Sequence, residues 1–383
     1  MTYISLFNNI VKSFKVHVDK PVIDDFIFRC HYKLTTNILF MFCILITSIN
    51  LIGKPIECIT NLSKNDEVQK VINTYCLISS LYTYENKLDF RQTNERNIRF
   101  HSYYQWVPFM FFLQAVTFYV PHWIWKMWEG GKIRMLTEDM RGFYVDTVKD
   151  RLAKQSRLAQ YFVESIHTHS TYAYGYVACE VYNAVNVIAN IYVTNKFLGA
   201  SFMTYGTDVL EHYRNRDDRP VNPMDAVFPR LTKCDFFKYG PSGTVQNVDA
   251  MCVLGQNVLN DKLYLFLWVW FFGLAAVSAV GLLYRFAVIV QTAANTTAAP
   301  FGRPFEFANS NKKCTSALLM AKFRMGDSML FAFVRKNVNG IQFEEIAEEI
   351  CSRLDDGKTS EPGSHCHGYV DGPELGRALS IPV

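Results

Sequence analysis

At 383 residues, half of them hydrophobic and 15% aromatic, the chain is long enough for a large globular core or for several membrane spans. A mean hydropathy of +0.02 beside 19% charged residues requires that charge and apolar residues be segregated along the chain. The net charge of +4 is mild and no Lys/Arg run accompanies it, so the electrostatic footprint of a nucleic-acid binder is missing.

Residues 1–33 lack the short apolar core and small-residue cleavage site of a secretory signal. Tyr3, Phe7, Ile10 and Phe14 recur there at helical spacing, with Asn8, Asn9, Lys12 and Lys15 on other faces. Two roles fit such a helix: lying on the membrane surface, or folding into a channel mouth against the first span. Leu34 to Ile52 is uncharged and predicts a membrane helix (34–52), since about 20 apolar residues cross roughly 30 Å of hydrocarbon. Its polar residues sit near its two ends, so a pore lined there would be wide and weakly selective. The loop 53–102 carries Cys58, Cys76 and an N-glycosylation sequon at Asn61. A glycan at Asn61 would obstruct close approach of a facing surface; a sequon too near the membrane would stay unused. Tyr103 to Trp125 predicts a second span (103–125) whose Pro108 and Pro121 a packed membrane helix tolerates.

After a polar stretch (126–171), residues 172–198 predict a third span in spite of Glu180. Glu180, Asn183, Asn186 and Asn190 follow one helical face, so that face does not see lipid. Amides in such a stripe favour hydrogen bonds to neighbouring helices over pore lining. The loop 199–261 carries Cys234 and Cys252, with 17 residues between them, as between Cys58 and Cys76. Within it, Gly240-Pro241-Ser242-Gly243 predicts a tight turn between short extended segments. The fourth span (262–290) is the clearest: Leu263 to Tyr284 is uncharged, with Lys262 and Arg285 as flanks. The tail (291–383) turns polar, with one or two amphipathic helices over 323–351 and disorder expected after about residue 355. Aromatics crowd the span ends, where they are expected as interfacial anchors.

Catalytic signals are absent from the sequence. Gly130-Gly131-Lys132 lacks the rest of a phosphate loop. His365-Cys366-His367 is too compact for tetrahedral ligation, and Ile381-Pro382-Val383 is a weak match to a strand-adding C-terminus. No enzyme activity, cofactor or metal is expected.

Four spans put loops 53–102 and 199–261 on the same side. Disulfides persist outside the cell, so the matched cysteine pairs place those loops outside and both termini in the cytoplasm. Segments 1–33 and 126–171 hold as many Lys and Arg as loops 53–102 and 199–261, 13 each, in shorter stretches, which leans the same way. Cys30, Cys43, Cys179, Cys314, Cys351 and Cys366 are then expected as free thiols. Four cysteines permit three connectivities, and spacing does not choose among them. The expected fold class is an all-α polytopic membrane protein. It is a four-transmembrane-helix bundle with cytoplasmic termini and a small disulfide-bridged extracellular cap containing short β segments.

Several blocks in order resemble the innexins, the gap-junction proteins of invertebrates, and the insect members most. The signature Tyr103-Tyr104-Gln105-Trp106-Val107 opens the second span, HYKLT (31–35) leads into the first, and GKPIEC (53–58) leads out of it. PHWIWKMWEGGKIRML (121–136), FPRLTKCDFFKYGPSGTVQNVDAMCVL (228–254) and NDKLYLFLWVWFF (260–272) follow. Two departures stand out: Leu77 occupies a usual Trp position, and Asp261 replaces a usual Glu. The resemblance implies nested disulfides, Cys58 with Cys252 and Cys76 with Cys234, and an N-terminal helix at the pore mouth. It also implies an octamer in the plasma membrane that docks to a like channel on the neighbouring cell, passing ions and small metabolites. Partners would be other innexins and the bilayer, with no nucleic acid. The competing functions are an undocked hemichannel, which a glycan on Asn61 would favour, and a non-conducting four-span adhesion protein.

Overall fold

A computed structural model describes residues 20–60, 66–84, 98–140, 148–215, 222–293, 319 and 322–356. The N-terminal stripe (Tyr3, Phe7, Ile10, Phe14), the Asn61 sequon and the tail beyond residue 356 lie outside the described residues. The chain divides into two compact units, Ile23–Gly130 with Tyr174–Val290, and Met1–Val22 with Gly131–Ala173 and Gln291–Val383.

Among the described residues, three helices of the first unit are long and apolar enough to cross a membrane: α1 (Phe26–Ile52), α3 (Val107–Glu129) and α9, whose qualifying stretch is Asn257–Val290. The first of these extends the expected 34–52 span by eight residues toward the N-terminus. Hydropathy stops short there because the added turns are polar, yet two of their polar side chains find partners inside the fold. Arg29 Nε donates to Asp24 at 2.6 Å, and the buried His31 Nε2 lies 2.7 Å from Ser278 Oγ. A π-helical stretch, Cys30–Thr35, carries the chain through this region. α3 begins with Pro108 in its first turn, where a missing N–H costs nothing. It ends at Gly130, whose φ of 63° is the left-handed conformation glycine adopts without a Cβ penalty. A fourth long helix, α6 (Ser170–Phe197), is more polar than these three, with Glu180 and several asparagines along its length. Leu39 and Ile46 of α1 meet Phe111, Ala115 and Phe118 of α3, Val187 and Ile191 of α6, and Leu267 and Phe271 of α9 in one buried core.

Loops 53–102 and 199–261 build a cap around a five-stranded antiparallel sheet in the order β1-β5-β4-β2-β3. The strands are β1 (Glu57–Ile59), β2 (Leu81–Tyr84), β3 (Ile98–His101), β4 (Leu231–Tyr239) and β5 (Val245–Val253). The long β4–β5 hairpin turns through Gly240–Gly243, and strands from the first loop flank it on both sides. The cap is richer than short β segments, for it also holds α2 (Asp66–Ile78), α7 (Phe202–Arg214) and the short α8 (Pro223–Val227). Helical spacing decides this: Ile72 and Cys76 are buried at i, i+4, and Phe202, Tyr205 and Val209 at i, i+3, i+7.

Among its described residues the second unit holds the helices α4 (Lys132–Thr137), α5 (Val148–Glu164), α10 (Met325–Asn337) and α11 (Gly340–Asp356). α5 and α11 pack together with Arg151 Nη2 and Gln155 Nε2 both donating to Glu345, at 3.2 and 2.6 Å. Asp327, buried at the start of α10, accepts from the His167 backbone N–H at 3.0 Å and lies 2.8 Å from His169 Nδ1. His167 holds a φ of 71° to make that contact.

Candidate functional site

The cap is welded by two disulfides. Cys58 is bonded to Cys252, which stands opposite it in the β1–β5 ladder, and Cys76 on α2 is bonded to Cys234 on β4. Both bridges join the first loop to the second, over sequence separations of 194 and 158 residues. All four sulfurs are buried among Ile56, Ile72, Leu81, Ala250 and Leu254. The sulfurs of Cys58, Cys76 and Cys252 lie within 4.8 Å of one another, but covalent pairing leaves no thiolate for a metal. Fixing the loops in advance removes conformational freedom that a docking partner would otherwise have to freeze.

The signature Tyr103–Val107 fastens this cap to the helices. Tyr103 and Tyr104 start a 3-10 turn ahead of α3. The Tyr103 hydroxyl donates to the Val227 carbonyl at 3.1 Å and accepts from Asn257 Nδ2 at 3.2 Å. Its ring meets Phe228 edge-on. Tyr104 is 1% exposed, with its hydroxyl 2.9 Å from the Ser79 carbonyl and 3.1 Å from that of Leu77. Gln105 Nε2 also donates to the Leu77 carbonyl. Val107 is fully buried in the helix core, whereas Trp106 is exposed. Tyr103 and Tyr104 are therefore internal fasteners rather than interfacial anchors, and Leu77 contributes through its backbone. Trp125 likewise turns inward, donating from Nε1 to the Ile23 carbonyl at 2.8 Å.

Around the sheet, electrostatics follow burial. His101 Nε2 lies 2.8 Å from Thr83 Oγ1 across the β2–β3 pair. Burial, with a smaller contribution from the Arg99 charge, pulls its pKa down to about 4. Burial and the Asp235 carboxylate, 3.0 Å from its hydroxyl, push the Tyr82 phenol upward.

At the opposite end of the helices, three elements meet at one cation. Arg285 of α9 donates from Nε to Glu180 Oε2 of α6 at 3.0 Å, and from Nη2 to Glu180 Oε1 at 3.1 Å. It also donates to Asp25, just ahead of α1. The guanidinium lies over the Tyr176 ring at 5.4 Å, and the Tyr176 hydroxyl accepts from the Asp25 backbone N–H at 3.0 Å. Sequence reasoning placed Glu180 in a polar stripe and missed this clamp. The available signal was a single acid in one span and a single arginine ending another.

The rest of the stripe points inward. Asn183, Asn186 and Asn190 are 2%, 7% and 5% exposed. Asn190 Nδ2 reaches Thr117 Oγ1 of α3 at 3.2 Å, and Gln114 Nε2 of α3 donates to Thr194 Oγ1 of α6 at 2.7 Å. Asn183 is buried with neither amide atom hydrogen-bonded.

The innexin family model matches residues 24–354. The chain belongs to the innexin family. It is 43% identical to innexin inx3 of Drosophila melanogaster over 356 residues, covering 89% of this chain and 87% of that one. It is 36% identical to innexin inx2 of Schistocerca americana over 355 residues, covering 88% and 95%. It is 33% identical to innexin shaking-B of Drosophila melanogaster over 352 residues, covering 88% and 92%. As an innexin, the chain is a subunit of gap-junction channels in the plasma membrane and assembles with other innexins.

Proposed function

We propose that the chain crosses the membrane four times, with α6 as the third span, both termini in the cytoplasm and the bridged cap outside. α6 is 28 residues long, about 42 Å at 1.5 Å per residue. Its asparagines turn inward while Val181, Val185, Ile188 and Tyr192 are exposed. An apolar outside around a polar inside is what lipid demands of a helix, and a hydropathy average cannot register it. On this reading the domains are the spans 34–52, 103–125, 172–198 and 262–290 with the loops between them. Eight such subunits surround a pore, with the N-terminal stripe of Tyr3, Phe7, Ile10 and Phe14 at its mouth. Two octamers dock through their caps, and ions and small metabolites pass between the cells.

The observation that carries this reading is the pair of bridges tying the two cysteine loops into one sheet. The test is junctional conductance between two cells that both express this chain alone. Coupling that disappears with Cys58→Ser, while the variant still reaches the cell surface, is the expected result. Full coupling with Cys58→Ser would remove the cap from the mechanism. Single-cell current without coupling would instead mark a hemichannel, and neither current an adhesion protein. Counting subunits in the purified assembly tests the octamer.

A further inference from the structure

A groove of about 450 Å³ runs between α1 and α3, within the range of small-ligand pockets. Its walls grade from polar to apolar in the same direction on both helices. On α1 the lining residues Lys33, Asn37 and Phe40 succeed one another at i, i+4, i+7, over about 10 Å of helix. On the antiparallel α3, Trp123, Tyr119 and Val116 succeed one another at i, i−4, i−7. The Lys33–Trp123 end is therefore cationic and aromatic, as at a membrane–water interface, and the Phe40–Val116 end is hydrocarbon. The exposed Lys33 side chain has no hydrogen bond or ion pair among the described residues, and no acidic side chain lines the groove.

We propose that this groove binds an anionic phospholipid, with the phosphate at Lys33, the glycerol-ester region at Asn37 and an acyl chain along Phe40 and Val116. The charge pattern favours a lipid over a second copy of the chain. Within 34–52, 103–125, 172–198 and 262–290 the only acid is Glu180, and Arg285 already holds it. Near the helix ends, Asp24, Asp25 and Asp261 are bonded to Arg29, Arg285 and Arg230 and Glu129 is buried, so none of these acids is free to neutralise Lys33 of a neighbouring copy, whereas a phosphodiester is. A basic site between helices at the cytoplasmic face is suited to an acidic headgroup. Assignment to the cytoplasmic leaflet rests on the proposed four-span topology; the site itself does not.

The test reconstitutes the full chain into phosphatidylcholine vesicles carrying a photoactivatable-acyl probe, either phosphatidylserine or phosphatidylcholine. The expected result is labelling of α1 and α3 peptides, several-fold stronger with the serine probe. Lys33→Gln reduces that preference to none. Val116→Trp, at a position 40% exposed and so tolerant of bulk, fills the apolar end and removes labelling by both probes. Equal labelling of the parent chain by the two probes overturns the proposal, as does a serine preference that survives Lys33→Gln. An assembly whose α1 and α3 stay unlabelled by either probe also overturns it, because the groove is then filled by protein rather than lipid. Symmetric vesicles make these outcomes independent of topology. Reaction of Lys33→Cys with an impermeant thiol reagent applied outside intact cells, above the parent chain's background, would overturn the leaflet assignment alone.

Discussion

Replacing Arg285 with Met should destabilise the helix bundle by leaving two carboxylates without their common cation. Arg285 makes a two-bond contact with Glu180 and a third bond to Asp25. Removing one member of a buried ion pair costs about 3–5 kcal/mol, chiefly because the remaining charge is stranded. The side chains of Arg285, Glu180 and Asp25 are 22%, 16% and 28% exposed, so partial solvation lowers the expectation to about 2–4 kcal/mol. At about 2–4 °C per kcal/mol for a unit of this size, the melting temperature should fall by roughly 5–15 °C. Arg285→Lys keeps the charge but loses the forked contact, and should cost about 1–2 kcal/mol. The assay is thermal melting of the solubilised channel followed by size-exclusion chromatography. The decisive comparison places Arg285→Met in a background that already carries Asp25→Asn and Glu180→Gln. Without stranded charge the substitution should there cost less than half as much. An equal loss in both backgrounds would refute the electrostatic account and leave only lost packing on Tyr176.

Three other outcomes follow from named contacts. His101 has a folded pKa of about 4, below the ordinary 6.5, so the unfolded cap binds more protons between those values. Its stabilising contribution is complete above pH 6.5 and declines as pH falls toward 4, by at most about 1.4 kcal/mol per unit. Hydrogen exchange of the cap strands should accelerate over that window, and His101→Gln should flatten the dependence. A Cβ at Gly175 would collide with the Trp128 indole, so Gly175→Ala should cost about 1–3 kcal/mol of thermal stability, recovered in part by Trp128→Ala. Burial opposes ionisation of Asp327, but hydrogen bonds from His169, His167 and Arg324 outweigh it and hold its carboxyl below the usual range. Its contribution is therefore present above the ordinary aspartate value near ~3.9 and is lost as pH falls through the lowered one. Asp327→Asn should remove about 1.5–3 kcal/mol at neutral pH, read as faster proteolysis of the α5–α6 connection that carries His167 and His169.

Periodicity, charge segregation and cysteine spacing located three apolar helices, the two cysteine loops and the hairpin turn, because those properties are written along the chain at short range. The YYQWV signature and its companion blocks carried the family. The sequence alone left three disulfide connectivities open, since pairing depends on where β1, β5, α2 and β4 come together. It also understated the cap, where α2 and α7 are helical around only a few buried positions each. Hydropathy placed the start of α1 at residue 34 because it cannot see that His31 and Arg29 meet Ser278 and Asp24. The Arg285 clamp joins residues 105 and 260 positions apart, and no local pattern encodes such a meeting. What the chain determines by itself is which segments avoid water. Which polar groups those segments then satisfy in one another is decided only when the helices and loops pack, because an unpaired charge or amide is costly only once it is buried.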